Sequence, residues 1–252
     1  MKTSTVTLSA AILSLLLVLS SCSKEEKKET PTNPLPYSGC RIIDASYKLE
    51  NGFTSEYSLE YDNQGRLIKT TELTNEAKSY KISHSNNVIV SEALDSTGSL
   101  MSTTTYKLND DGLMTSSKSV SASGFTFSKT FEYNSQNQLS KITSVHNGGT
   151  TTSERYFYTD DNISKITSSG PDIILTYYDD QPWQYGDPLY FSRYLTSGIS
   201  ELNNANLVKS IEYTGFEKST YTYDFDNDGK ILEINTHVTT GVKTWKFKWH
   251  CQ

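Results

Sequence analysis

The sequence predicts an all-β protein, an up-and-down antiparallel meander of about sixteen strands curled into a closed or nearly closed flattened barrel. The first observation is a repeated motif: a strand with alternating aromatic residues, a polar turn, and a strand that restarts on an aliphatic residue. Copies lie at 57–69, 104–114, 131–142 and 221–232. The second observation is the regular spacing of turn residues, and the third is the two-residue period of polarity between the turns.

Gly, Asn and Asp occur at regular intervals, as tight hairpins require, because these residues tolerate positive φ. The predicted turns form two alternating sets. One set comprises 62–65, 85–87, 109–112, 134–137, 160–162, 203–206 and 226–229. The other comprises 51–52, 74–76, 95–98, 121–124, 147–149, 169–171, 214–215 and 240–241. Turns that alternate between two edges mean that consecutive strands run up and down.

Between these turns apolar and polar residues alternate, which predicts a sheet with one apolar face. A meander of this size must curl, split or close. The apolar face could point inward, in a soluble barrel, or outward into lipid, as in porins. We favour the inward form because Lys129 and several Thr and Ser residues interrupt the aromatic face. The closing strand, 245–249, resembles the aromatic end of an outer-membrane strand, so the outward form stays open.

The N-terminus has the features of a secretory signal. Lys2 precedes an apolar stretch at 8–19, which is too short to span a membrane. Cys22 follows two serines and resembles the lipobox cysteine of bacterial lipoproteins, in which the signal is removed and the cysteine is acylated. We therefore predict a lipoprotein signal peptide at 1–21 and lipidation of Cys22. The alternative is a plain secretory signal with an incidental cysteine.

Residues 22–37 combine charge and proline and predict a disordered tether. Lys24, Glu25 and Glu26 resemble the export signal that sends lipoproteins to the outer face of the outer membrane in some gut bacteria. A solvated spacer is the alternative interpretation. The expected location is the outer membrane, lipid-anchored, with the protein facing the cell exterior if the export signal operates.

Cys40 and Cys251 stand at the two ends of the remaining chain. Outside the cytoplasm two such thiols are expected to pair, and a bond between them would bring the first and last strands together. Two free or separately buried thiols are the alternative.

Residues 38–252 are predicted to form one β domain with an irregular insertion at about 179–205. The formal net charge of −6 gives no indication of nucleic-acid binding. Within the insertion, Pro188 could begin a short helix capped by Asp187. The favoured role of the insertion is a plug that fills a wide sheet. The functional alternative is a surface for stacking a sugar or peptide, built from Trp183, Tyr185, Tyr190 and Tyr194.

Candidate catalytic chemistry is sparse. Residues 224–229 match the first half of a calcium loop, but the position of the bidentate glutamate is Asn235, and sister repeats use this place as an ordinary turn. The four histidines lie in separate strands or turns. We predict no catalytic residues, no metal and no cofactor, and we lean towards a protein that is not an enzyme.

The lipobox, the hairpin array, the insertion that begins at Tyr177 and the restart at 203–208 together resemble a family of gut-bacterial lipoproteins. That family is known as a domain of unknown function with a porin-like fold, and the hairpins are similar to YD repeats. The resemblance implies an architecture but no activity. The expected function is a non-enzymatic binding or accessory module for a glycan or a surface protein. The alternatives are an enzyme with a composite site under the insertion and a purely structural envelope protein.

Overall fold

The computed structural model describes residues 39–74, 78–147 and 149–251. These residues form sixteen β-strands and one α-helix. The strands in chain order are β1 (Cys40–Leu49), β2 (Thr54–Tyr61), β3 (Leu67–Glu72), β4 (Ser79–Ser85), β5 (Val88–Leu94), β6 (Leu100–Leu108), β7 (Met114–Ser121), β8 (Thr126–Tyr133), β9 (Leu139–His146), β10 (Thr151–Thr159), β11 (Asn162–Thr167), β12 (Ile173–Pro182), β13 (Asn206–Tyr213), β14 (Lys218–Phe225), β15 (Ile231–Val238) and β16 (Gly241–Cys251). The helix α1 (Pro188–Ser197) lies between β12 and β13.

The strands form a closed barrel in which each strand pairs antiparallel with its neighbours in sequence, and β16 pairs with β1. Cys40 lies opposite Cys251 in that last pairing, and the two cysteines form a disulfide with a Cα–Cα distance of 3.9 Å. The predicted fold class and the predicted disulfide are therefore confirmed. All strand pairings and the buried core of the described residues lie within residues 40–251, which is the extent of core and pairing expected of one domain.

The two sets of predicted turns lie at opposite ends of the barrel. We call the end that carries the Cys40–Cys251 bond the disulfide end; the connections that follow the even-numbered strands up to β14 lie there. The connections that follow the odd-numbered strands lie at the other end, which we call the open mouth. Residues 1–38, including the predicted signal, tether and Cys22, lie outside the described residues.

The repeated motif encodes one turn geometry at the disulfide end. Asp62 Oδ1 accepts hydrogen bonds of 2.9 Å from the amides of Gln64 and Arg66. Asn109, Asn134 and Asp226 accept from their own second and fourth following residues in the same way. The side chain thereby replaces the strand hydrogen bonds that the turn interrupts. The fourth turn residue has positive φ, as at Gly65 (83°).

An aromatic residue near the end of five of the even-numbered strands also has a structural role. In four of these strands the residue is a tyrosine, whose hydroxyl donates to a backbone carbonyl at the start of the preceding strand at 2.7–2.9 Å. The pairs are Tyr61 with Ile42, Tyr133 with Met114, Tyr177 with Ile163, and Tyr223 with Val208. Trp249 Nε1 donates to Ile231 O at 2.7 Å in the last hairpin. Each accepting carbonyl belongs to a residue beside a register shift in its strand pairing, and the bond satisfies it there.

The apolar face points inward. Leu67, Ile163, Leu207, Ile231 and Ile234 are all 0% exposed and belong to one core. The motif aromatics pack against this core, whereas Lys, Glu, Ser and Thr dominate the outer face. Of the two orientations open from the sequence, the structure has the inward one, which is the reverse of a porin wall. Among the described residues, no helix combines the length and apolarity needed to cross a bilayer.

The insertion begins later than predicted. Strand β12 extends to Pro182, which lies opposite Asn206 in β13, so the insertion comprises residues 183–205 rather than 179–205. The prediction failed because Asp179, Asp180 and Pro182 are typical of a loop, yet they continue the strand beyond a register shift at Tyr177. The predicted short helix is confirmed, with its N-cap at Asp187 and proline in its first turn.

Candidate functional site

The insertion crosses the interior of the barrel and fills it from the disulfide end. Phe191 of α1 is 2% exposed, and its ring lies 5.5 Å from Trp245 and 5.0 Å from Phe247. On the other side, Ser91 Oγ donates to Thr196 O at 2.6 Å. The helix therefore reaches from β16 to β5. Its C-terminal cap is Gly198 in the left-handed conformation, φ 69°, packed against Leu67.

The segments on either side of α1 are held by side-chain amides. Gln184 donates to Gly229 O at 2.9 Å and accepts from the Ile231 amide at 3.2 Å. Asn162 Oδ1 accepts from the amides of Ala205 and Asn206, at 3.0 and 2.9 Å. These bonds fix both ends of the insertion to neighbouring hairpins, as expected of a plug that is part of the core.

The structure brings together all four residues of the predicted stacking surface. Their ring centroids are 4.9–5.6 Å apart in the contacts that join Trp183, Tyr185, Tyr190 and Tyr194. The rings face one another, and Tyr190 and Tyr194 are 2% and 7% exposed. Burial raises the pKa of both tyrosine hydroxyls well above the usual value. This cluster has the geometry of core packing, and Trp183 and Tyr185 are its half-buried members.

The buried acidic groups of the insertion itself have structural partners. Asp187 is 0% exposed, and its carboxylate accepts from the amides of Leu189 at 3.0 Å and Val208 at 3.2 Å. Burial raises the pKa of Asp187 to about 6. Glu201 accepts from Arg193 Nε at 2.9 Å, in an ion pair whose carboxylate is 8% exposed. Asp187 therefore attaches the insertion to β13, and the Arg193–Glu201 pair is an ion pair within the insertion.

The interior becomes accessible to solvent towards the open mouth. Tyr156 is an inward-facing residue of β10 with 5% exposure, and its hydroxyl donates to Glu154 Oε2 at 2.7 Å. Glu154 therefore lies on the same inner face, yet it is exposed, as is Thr152 closer to the mouth. In β8, buried Phe131 is followed towards the mouth by half-buried Lys129. The lumen is thus sealed at the disulfide end and open at the other.

Three aromatic side chains line one wall of the lumen. The Trp245 ring lies 4.9 Å from Tyr47 and 5.8 Å from Tyr57, at inward positions of three adjacent strands. Glu72 lies beside them and accepts from Ser55 Oγ at 2.9 Å. Burial, and secondarily the charge of Glu72, raise the pKa of Tyr57. All three rings are half-buried.

The opposite wall is polar. Directly opposed residues of β6 to β10 form one inward row, which we call the lysine row: Tyr106, Ser117, Lys129, Ser144 and Thr152. Residues directly opposite in an antiparallel pair point to the same face. Since Ser117 is 8% exposed and Phe131 is 7% exposed, the row faces the lumen. Nearer the mouth, the Phe127 ring lies 4.6 Å from His146.

Apolar side chains surround the open mouth. Of thirteen exposed large apolar residues in the described part of the chain, eleven lie within three residues of a turn at this end. They are Phe53, Leu73, Leu100, Met101, Val120, Phe125, Val145, Ile174, Tyr213, Phe216 and Val242. A groove of about 440 Å³ lies among them, lined by Tyr213, Phe216 and Lys243. Exposed apolar residues concentrated in one region are typical of binding surfaces.

The partial calcium motif forms an ordinary turn. Lys230 Nζ lies 3.0 Å from Asp226 and 2.8 Å from Asp228, so an ammonium group occupies the position that a cation would take. The described residues contain no group of three or more His, Cys, Asp or Glu side chains arranged to hold a metal ion. The predicted lipidation site, Cys22, lies outside the described residues.

Sequence reasoning did not identify the lumen walls as a candidate site. Lys129 and the Ser and Thr residues were recognised as interruptions of the aromatic face, and that interruption was the available signal. In a sheet whose apolar face points inward, each interruption places a polar group in the interior. The alignment of Lys129 with serines on two neighbouring strands depends on register, which alternation within one strand does not specify.

A closed meander of sixteen antiparallel strands has the strand architecture of a porin-like barrel, although here the apolar face points inward and a helix fills one end. A family model described as a domain of unknown function (DUF4595) with porin-like fold matches residues 59–200, more than half of the 252-residue chain. The chain belongs to this family, as the sequence resemblance predicted.

Two solved structures are similar to this chain. A porin-like protein from Bacteroides uniformis is 19% identical with a TM-score of 0.63, over 86% of this chain and 100% of the other. A porin-like protein from Bacteroides vulgatus is 11% identical with a TM-score of 0.59, over 83% and 98% of the two chains. At these identities the similarity establishes the fold. No curated protein matches the chain.

Proposed function

We propose that this protein is a lipid-anchored, non-enzymatic binding module of the outer membrane, and that it binds a glycan in the open mouth of its barrel. The observation that carries the proposal is the asymmetry of the lumen. The insertion fills the disulfide end, whereas half-buried aromatic rings and hydroxyl groups line the accessible half. Aromatic faces and polar groups together are the usual composition of a concave ligand site.

The position of the chain end supports a membrane-distal mouth. The tether that we predict at 22–37 joins the barrel just before Cys40, which lies at the disulfide end. An anchor at Cys22 would attach this end to the membrane and direct the open mouth away from it. The favoured location is the cell exterior, where a mouth directed away from the membrane meets extracellular saccharides.

A screen of saccharides tests the binding function. Residues 38–252 contain every described strand, α1 and both disulfide cysteines, and would be screened against neutral and charged oligosaccharides by array and calorimetry. Ser119→Trp places a bulky ring in the lumen opposite Phe127, whereas Thr105→Trp places it on the outer face opposite Lys118. We expect the inner variant to abolish binding and the outer variant to retain it. The absence of binding across the panel would refute the glycan proposal.

Labelling in cells tests the anchor separately. The wild-type chain should incorporate labelled palmitate and partition into the membrane fraction, because acyl chains on Cys22 provide the membrane affinity. The Cys22→Ala variant should not incorporate the label. The Cys40→Ala variant, in which Cys22 is intact, should incorporate it. Equal incorporation by the wild type and Cys22→Ala would show that Cys22 is not the acylated residue.

A surface protein is the second candidate ligand, and the apolar ring around the open mouth favours it. Replacing Phe216 (71% exposed) and Phe125 (47% exposed) with serine should reduce the affinity for a protein partner and leave the affinity for a saccharide in the lumen unchanged. Calorimetry of both ligands with the double variant distinguishes the two candidates.

A further inference from the structure

We infer that the lumen carries a subsite for the carboxylate group of an acidic saccharide, with Lys129 as its cation. This inference rests on the proposed function and specifies the chemical class of the ligand. It concerns the lysine row, in which Lys129 has Ser117 directly opposite on β7 and Ser144 directly opposite on β9.

Lys129 is free to bind an anion. It is half-buried and makes no ion pair among the described residues, and its ammonium group lies 5.6 Å from the centre of the Phe127 ring. Glu154 lies two strands away and two residues deeper, which strand geometry makes about 12 Å between the Cα atoms of the two residues. Glu154 already accepts from Tyr156, and Glu72 already accepts from Ser55.

The local charge contrasts with that of the whole molecule. The protein has a net charge of −6, and an inward lysine without a counter-ion is costly to desolvate unless a ligand supplies the opposite charge. The cation at the floor, Arg193, is already paired with Glu201. Lys243 also has an inward position, opposite Thr236 and two residues from Trp245, but it lies at the mouth of the other wall. Within the polar wall formed by β6 to β10, Lys129 is the inward lysine that a ligand carboxylate can neutralise.

The surroundings of Lys129 fit a saccharide better than a simple anion. Ser117 and Ser144 lie directly opposite Lys129 on the two neighbouring strands, and Thr152 extends the row of hydroxyl groups on β10. Such groups donate to and accept from sugar hydroxyls. Nearer the mouth, Phe127 and His146 offer apolar ring surface to the C–H face of a neighbouring sugar.

The test compares acidic saccharides with neutral counterparts of the same size. Residues 38–252 would be titrated calorimetrically with trigalacturonic acid and its fully methyl-esterified form, and with sialyllactose and its methyl ester. We expect at least one acidic member to bind about tenfold or more tightly than its neutral partner, and added salt to reduce the difference. Equal affinity within both pairs would overturn the carboxylate subsite and leave the proposed glycan-binding function standing. Failure of all four ligands to bind would overturn the carboxylate subsite, whereas the glycan-binding function would be refuted only if the whole saccharide panel also failed to bind.

Matched lysine variants locate the subsite. Lys129→Met removes the inward charge, whereas Lys118→Met removes an exposed charge from the outer face of neighbouring β7. Lys129→Met should reduce the affinity for the acidic saccharide about ten- to hundredfold and the affinity for the neutral one by less than about twofold. Lys118→Met should change neither affinity by more than about twofold. Equal effects of the two variants would contradict the assignment. Acetate binding as tightly as the saccharide would reduce the site to a simple anion site. The near-UV circular dichroism of both variants should match the wild type.

Discussion

Asp187 is a carboxylate that the fold encloses completely, and its ionisation affects stability. Burial raises its pKa to about 6, above the ordinary value of 3.8. Between these two pH values the native state binds more protons than the unfolded state. The free energy of unfolding therefore falls as pH rises through this window, by about 2 kcal/mol from pH 4 to pH 7 for this group.

Asp187→Asn should remove this pH dependence, because the amide oxygen can still cap α1 but does not ionise. We expect the stability of the variant relative to wild type to increase by about 2 kcal/mol from pH 4 to pH 7, measured by urea unfolding. Asp180 is exposed, so Asp180→Asn serves as the control, and its free energy of unfolding should change with pH as that of the wild type does. A difference in the free energy of unfolding between wild type and Asp187→Asn that stays constant from pH 4 to pH 7 would show that Asp187 does not cause this pH dependence.

The bond from Tyr133 to Met114 O, 2.9 Å, represents the tyrosine pairs that close the hairpins. Tyr133→Phe leaves the Met114 carbonyl without this partner, and we expect a loss of about 1–2 kcal/mol in the free energy of unfolding. Tyr47→Phe is the matched control, since its ring lies in the lumen against Trp245. Equal stabilities of the two variants would show that the hydroxyl–carbonyl bond contributes little.

At the scale of the element, α1 acts as part of the core. Phe191→Ala should reduce the free energy of unfolding by about 3–5 kcal/mol, because the cavity would open between Trp245 and Phe247. The neighbouring Ser192 is exposed, so Ser192→Ala should stay within about 0.5 kcal/mol of wild type. Denaturant unfolding followed by Trp fluorescence measures both. A loss below about 1 kcal/mol for Phe191→Ala would mean that the helix is not a plug.

The elements show how far the sequence could predict this structure. Strand number, turn positions and the capped helix were predictable, because each depends on local chemistry such as the Asp62 turn or the Asp187 cap. The start of the insertion was not. Asp179 to Pro182 have the composition of a loop, and their extended conformation is bounded by the pairs Tyr177–Val208 and Pro182–Asn206, which are non-local contacts with β13.

At the scale of the whole molecule, the Cys40–Cys251 bond spans a sequence separation of 211 residues. Loop-entropy models assign a bond of this span about 5 kcal/mol, because it restricts the unfolded chain. The double variant Cys40→Ser, Cys251→Ser should have a free energy of unfolding that is lower by up to that amount, measured by urea unfolding. Wild type treated with reductant should match the double variant, and the double variant itself should not respond to reductant. Identical midpoints for oxidised and reduced wild type would refute this contribution.

The candidate site belongs to the whole molecule, and this is why the sequence did not predict it. Lys129, Ser117 and Ser144 become neighbours only through the register of three strands. The lumen has one accessible end only because residues 183–205 fill the other. Local patterns identified the polar interruptions, but barrel closure and the plug turned them into one wall of a cavity.

The direct pairing of the first strand with the last also makes the order of the strands cyclic. With Cα atoms 3.9 Å apart at Cys40 and Cys251, a short peptide linker could join these positions, and new termini could be opened at the exposed turn at 95–98. Such a circular permutant would keep all sixteen pairings. Its termini would lie beside the open mouth, so a fused reporter would sit next to the proposed ligand and could signal its arrival.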